Sequence, residues 1–121
     1  MNKLPLLFYR KESAMIIQGS NAPILLTFGS NMESISDFSA TLISRRLEDK
    51  DAILKQWRKE DVEIAGSDII LPLTQEETLA FPYGVHTLEV KWVNEDDGDI
   101  LFADAVKIDI EKRVDKTTLS V

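Results

Sequence analysis

Between Val85 and Val93 apolar and polar side chains alternate one for one. His86, Leu88, Val90 and Trp92 fall on one side, and Val85, Thr87, Glu89, Lys91 and Val93 on the other. A period of two belongs to a strand, because successive side chains leave opposite faces of the pleat. Residues 38–46 repeat the pattern, with Phe38, Ala40 and Leu42 opposed to Ser39, Thr41, Ile43 and Arg45. A strand with one apolar face must have that face covered by another layer. The chain therefore predicts at least two packed layers rather than a single exposed sheet.

The connections support the same reading. Asn94 to Asp99 is a tight acidic link, and its Asp97-Gly98 pair is a hairpin signal, since glycine accepts positive φ and aspartate tolerates it. Ile100-Leu101-Phe102 and then Ala105 to Glu111 return, with Val106, Ile108 and Ile110 on one face. Ala103-Asp104 is placed to hold a bulge that shifts the face between the two halves. Upstream, residues 14–18 are rich in strand formers and stop at Gly19-Ser20-Asn21. Residues 22–28 form a second strand, with Pro23 at its start or on a sheet edge because proline lacks an N–H. Residues 29–37 read as a loop.

Residues 47–60 admit two readings. Leu47, Ile53, Leu54 and Trp57 make a helical stripe, and the abundance of Glu, Asp, Lys and Gln favours helix. The flanking strands favour a strand at 52–57 with Ile53 and Trp57 on one face, and strand is the reading adopted. Asp61 to Ile64 is a short strand, Ala65 to Asp68 a turn, and Ile69 to Leu73 a buried strand with Pro72 near its end. Thr74-Gln75-Glu76-Glu77 is a capping box that opens about one helical turn, to Leu79, before Phe81-Pro82-Tyr83-Gly84 breaks it. Eight or so short strands and one short helix fit a β-sandwich. Its expected core is Ile24, Leu26, Phe28, Phe38, Leu42, Trp57, Ile69, Leu71, Leu88, Val90, Trp92, Val106, Ile108 and Ile110. Residues 1–13 are an extended segment, 14–112 the sandwich and 113–121 a loose polar tail or a connector to a partner.

Residue chemistry narrows the function mainly by exclusion. The 121 residues include no cysteine and one histidine, which excludes disulfides, thiolate chemistry and the common zinc geometries. A net charge of −7 argues against a nucleic-acid partner, which would need a basic stripe. No apolar run approaches the ~20 residues of a membrane span. Leu4 to Tyr9 is too short for a signal-peptide core, Pro5 interrupts it, and Arg10-Lys11-Glu12 end it.

His86 lacks an accompanying nucleophile or acid motif, so a rim position at the core is its expected role. Glu95, Asp96, Asp97 and Asp99 could hold calcium, but Val93 stands where a first ligand would be needed, and a solvated hairpin tip explains the same residues. Asp49/Asp51 and Glu76/Glu77 are pairs of acids that nothing in the sequence brings across a cleft. Trp57, Trp92, Tyr9 and Tyr83 could form a sugar-stacking platform; Trp92 belongs to the core, and Tyr83 is the freer ring. Lys3, Arg10, Lys11, Arg45 and Arg46 read as solvated charges. No catalytic residue, metal or cofactor is assigned.

The run Leu73-Thr74-Gln75-Glu76-Glu77-Thr78-Leu79-Ala80-Phe81, followed by Gly84, Leu88-Glu89-Val90-Lys91-Trp92 and Asp96-Asp97-Gly98, resembles small proteins of tailed phages and prophages of Gram-positive bacteria. Gln18-Gly19-Ser20 before an apolar strand, and Ile53-Leu54 with Glu60-Asp61-Val62, are similar to the same pattern, which covers about residues 14–112. The resemblance implies an all-β, immunoglobulin-like antiparallel β-sandwich of about 7–9 strands with one short helical turn near residues 74–80. It also favours strand over helix at 52–57. The plan is similar to the N-terminal domain of phage baseplate upper proteins. It implies a non-catalytic virion structural protein, made in the bacterial cytoplasm, at the tail tip or baseplate. The partners would be other tail or baseplate proteins, or a second copy in a homo-oligomer. The chain lacks the long C-terminal extension of baseplate upper proteins, so receptor binding does not carry over. Contact would be made at strand edges, with Leu6, Phe8 and Tyr9 as candidate interface residues; packing of that segment on its own domain is the other possibility. The alternative function is a carbohydrate-binding module, with Tyr83 and the acidic loop as platform or calcium site.

Overall fold

Two sheets carry the chain in a computed structural model that describes residues 13–44 and 52–120. The elements run β1 (Ser13–Ile17), β2 (Ile24–Thr27), β3 (Asp37–Ser44), β4 (Ala52–Arg58), a 3-10 turn (Lys59–Asp61), β5 (Glu63–Ala65), β6 (Asp68–Leu71), α1 (Gln75–Ala80), β7 (Gly84–Val93), β8 (Ile100–Phe102) and β9 (Val106–Glu111). The larger sheet has the order β1-β9-β7-β3-β4, with β8 also paired to β7, and the smaller has the order β2-β6-β5. The fold is an all-β sandwich, with the strands distributed between the two sheets. One pairing departs from the antiparallel expectation: β1 lies parallel to β9, with Ser13 opposite Lys107 and Ile17 opposite Glu111.

All fourteen expected core residues are buried between the sheets. Trp57, fully buried, donates from Nε1 to the Pro72 carbonyl at 2.9 Å, so its polar end is satisfied inside the core. Phe28 meets Trp92 edge to face, with ring centroids 5.1 Å apart. Burial of each such side chain is worth about 1.5–3 kcal/mol before entropy is counted. The loop between β2 and β3 supplies two core residues that its turn-like composition conceals, Met32 and Ile35. It is held against the β5–β6 turn by the Met32 N–H donating to the Gly66 carbonyl (2.8 Å) and the Gly66 N–H donating to Glu33 Oε2 (2.7 Å).

Residues 52–58 are strand, as context predicted and local propensity did not. The β3 edge provides a ladder from Ser39–Arg58 to Ser44–Ala52, with a register shift at Leu42/Ile43. The extra residue is Leu54 on β4, so Ile53 turns to the outer face while Trp57 faces the core, and the two do not share the one face expected of them. β3 keeps its register with β7, and Ile43 stays on the outer face with Thr41 although little of it is exposed. The expected bulge at Ala103-Asp104 is present as a register change. Lys91 pairs with Phe102 and Leu88 with Val106, which leaves three residues opposite two. Its effect is the one foreseen: Leu101 points inward before it, and Val106, Ile108 and Ile110 after it.

The capping box forms as written. The Thr74 hydroxyl accepts from the Glu77 N–H (3.1 Å), and the Thr74 N–H donates to Glu77 Oε1 (2.9 Å). The helix it opens buries Thr78, whose hydroxyl donates to the Ser20 carbonyl (2.8 Å) and accepts from the Gly19 N–H (2.9 Å). Gly19 sits at φ +89° with Leu79 Cδ2 at 3.5 Å from where a Cβ would stand, so this turn wants glycine. The polar tail, expected to be loose, has no strand or helix but is tied at two places. Gln75 clamps Leu119, donating to its carbonyl (2.6 Å) and accepting from its N–H (2.8 Å). Buried Gln18 accepts from Lys116 Nζ (2.7 Å) and the Arg113 N–H (3.1 Å) while donating to the Phe81 carbonyl (2.8 Å).

Candidate functional site

The outer face of the larger sheet carries a groove of about 660 Å³. The strand alternation that buries Phe38, Ala40, Leu88 and Val90 sends their neighbours outward, and the ladder arranges these in four rows. Ile53, Ile43 and Thr87 form one, and Gln56, Thr41 and Glu89 the next. Arg58, Ser39, Lys91 and Phe102 form the third, and Asp37, Val93 and Ile100 the last. Ile53, Ile100 and Phe102 are 66%, 59% and 63% exposed, so large apolar groups stand at both ends of a polar centre. In that centre the Gln56 amide reaches both Ser39 Oγ and Thr41 Oγ1 at 3.3 Å. Arg58 pairs with Asp37 at 3.5 Å in a half-exposed ion pair, an arrangement worth little in water. Hydroxyls, one amide, single charges of both signs and exposed apolar side chains can bind a surface.

The chemistry-bearing residues singled out in the sequence are dispersed. His86 is buried, and its Nε2 donates to the Pro82 carbonyl at 2.8 Å. This bond ties the start of β7 to the Phe81-Pro82-Tyr83 break before it. The His86 Nδ1 is buried without a hydrogen-bond partner among the described residues. The acidic turn uses its own side chains. Asn94 Oδ1 accepts from the Asp96 N–H and Asp97 Oδ1 from the Asp99 N–H, both at 3.1 Å, around Gly98 at φ +73°. Among the described residues no group of three His, Cys, Asp or Glu is placed to hold a metal ion.

Glu77 is taken by the helix cap and by Lys55 Nζ at 2.7 Å. Its partial burial pushes the carboxyl pKa up, but the Lys55 ammonium and the Thr74 N–H outweigh that and hold it below the usual glutamate value. Asp49, Asp51, Arg45, Arg46, Lys3, Arg10, Lys11 and the interface candidates Leu6, Phe8 and Tyr9 lie outside the described residues.

The proposed sugar platform does not come together. Trp57 and Trp92 are inside the core, and Tyr83, with Lys112 Nζ 5.2 Å above its ring, precedes β7. The acidic turn follows the other end of that ten-residue strand, about 30 Å away at ~3.3 Å per residue. The groove itself was not foreseen. Its signal was present in the outward set of 85–93 and in Ile100 and Phe102, but the pairing that lines them up with β3 and β4 is long-range.

No helix among the described residues is long and apolar enough to cross a membrane. No protein-family model matches the chain, and no curated protein matches it in sequence. Among solved structures it is similar to an uncharacterized protein from Bacillus anthracis str. Ames. The two share 11% identity over 88% of this chain and 83% of that one, with a TM-score of 0.46.

Proposed function

We propose that this chain is a non-catalytic structural protein of a tailed-phage or prophage virion, an assembly module of the tail tip or baseplate that acts through protein–protein contacts. The link to phages rests on the resemblance of the Leu73 to Phe81 run and its flanking strands. The observation that carries the binding role is the outer face of the larger sheet, with apolar groups at both ends and an open edge along β4. β4 is last in its sheet, so its backbone groups on the side away from β3 have no strand partner among the described residues. A neighbouring chain that adds a strand there gains backbone hydrogen bonds, and Ile53 beside the edge supplies a side-chain anchor.

The test is sedimentation of the purified chain, alone and mixed with the tail and baseplate proteins encoded by flanking reading frames. Association is expected, and Ile53→Lys should weaken it by about tenfold or more, as loss of one apolar anchor does. A strict monomer at high concentration that binds none of those proteins would remove the proposal. The carbohydrate-binding alternative would have to use the groove, because its intended platform is split between opposite ends of β7.

A further inference from the structure

Among the described residues two buried side-chain atoms have no hydrogen-bond partner, the Ser44 hydroxyl oxygen and His86 Nδ1. They fall in one row of the larger sheet. β3 and β7 keep a single antiparallel register from Asp37 opposite Val93 to Ile43 opposite Thr87, so the next position sets Ser44 beside His86. By alternation both side chains leave the same face as Leu42 and Leu88, toward the core. We infer that Ser44 and His86 form an internal binding site for one water molecule, which bridges the hydroxyl and Nδ1 and ties the end of β3 to the start of β7.

Burial creates the demand. Ser44 is 3% exposed and His86 5%, and a polar atom buried without a partner is costly, so native structures satisfy nearly all of them. Spacing is right for one small molecule. Side chains directly opposite on antiparallel neighbours have Cβ atoms about 4.5–5.5 Å apart, yet Ser44 Oγ and His86 Nδ1 do not bond to each other. Polar groups held just beyond direct reach are where a bridging water sits. Side-chain size agrees. The preceding inward row holds Leu42 and Leu88, whereas this one holds Ser44 with Ala52 opposite it on β4, so bulk steps down where the two polar atoms meet. The chemistry asks for a ligand that both donates and accepts. The Pro82 carbonyl only accepts, so Nε2 carries a proton. Nδ1 then accepts if the ring is neutral and donates if it is charged, and the serine hydroxyl does either. Water answers both atoms in each case, and two protein partners suffice to hold it. The inference rests on the fold alone and is independent of the virion reading.

The chain has one histidine, so its ring signals in an NMR spectrum are unambiguous. On the unaltered chain, water-selective NOE spectra should show one long-lived water beside both the Ser44 β protons and the His86 Hε1 proton. Ser44→Ala removes one of the two anchors. It should abolish the water signal at His86, shift the Nδ1 nitrogen resonance, and raise the unfolding equilibrium constant in urea by about tenfold, as loss of a satisfied buried hydroxyl does. Where Ser44→Ala does not fold, the water signals of the unaltered chain decide by themselves. No long-lived water beside the two residues overturns the inference, and so does Ser44→Ala with the parent's stability and Nδ1 resonance. A serine hydroxyl proton seen bonded directly to Nδ1, with no water signal, overturns it as well, since the pair would then satisfy itself.

Discussion

Replacing Thr78 by valine would keep the shape of the side chain and delete only its hydroxyl. Thr78 is fully buried, so the change makes no cavity. It does leave two backbone groups without their partner, the Gly19 N–H at 2.9 Å and the Ser20 carbonyl at 2.8 Å. An abandoned polar group that is buried costs about 1–3 kcal/mol. Gly19 and Ser20 are half-buried, so water recovers part of this, and the expected cost is about 2–3 kcal/mol. For a domain of this size that lowers Tm by roughly 6–15 °C. Thr78→Ser keeps the hydroxyl and removes one methyl group, for about 1 kcal/mol. The order of the two variants is the diagnostic. Packing alone predicts that serine is the worse substitution, whereas the hydroxyl junction predicts valine. Urea unfolding followed by the fluorescence of the buried Trp57 and Trp92 measures both. Thr78→Val as stable as Thr78→Ser, or more so, would refute the claim that this hydroxyl joins α1 to the β1–β2 turn.

Further expectations concern the pH response, one turn and the tail. Glu77 has a folded pKa below its unfolded one, so its contribution is present above the unfolded value of about 4.5 and is lost as pH falls through the folded value. Between pH 6 and pH 3, Tm should therefore fall less steeply in Glu77→Gln than in the parent, and equal slopes would contradict the linkage. Gly98→Ala should cost about 1 kcal/mol, since alanine at φ +73° is strained. Gly29→Ala, with nothing within 4 Å of the added carbon and no positive φ, should be close to neutral in the same thermal melts. Gln75→Ala removes both bonds to Leu119 and should speed proteolytic clipping of the tail while changing stability by no more than about 0.5 kcal/mol; unchanged clipping would show that Gln75 does not hold the tail.

Local codes were legible where one segment carried its whole message. The alternation in β7 depends only on the pleat, and the Thr74 box satisfies the donors of its own helix end. The Asp97-Gly98 turn needs only a residue that tolerates positive φ. The inward set of fourteen side chains followed from these patterns because each apolar face had to meet another. Composition misled where the partner was distant. Lysine, glutamine and arginine on 55–58 favour helix, but the edge of β3 offered a ladder that an isolated segment lacks. The β2–β3 loop, with Gly29, Asn31 and serines at 30, 34 and 36, concealed the burial of Met32 and Ile35, because a loop buries a side chain only when another turn folds over it. The roles of Gln18 and Gln75 as clamps on the tail were equally silent, since an amide binds whichever backbone is brought within reach.

The order of apolar and polar residues was therefore enough to determine strands, turns, the helix cap and a two-layer interior, since each depends on backbone geometry over a few residues. Tertiary structure alone decided that β1 would lie parallel to β9, that His86 would be buried against the Pro82 carbonyl, and that Ile53, Gln56, Lys91 and Phe102 would share one outer face. Those outcomes depend on register between segments far apart in the chain. Register is selected by the joint packing of both sheets, a quantity that no single stretch of sequence contains.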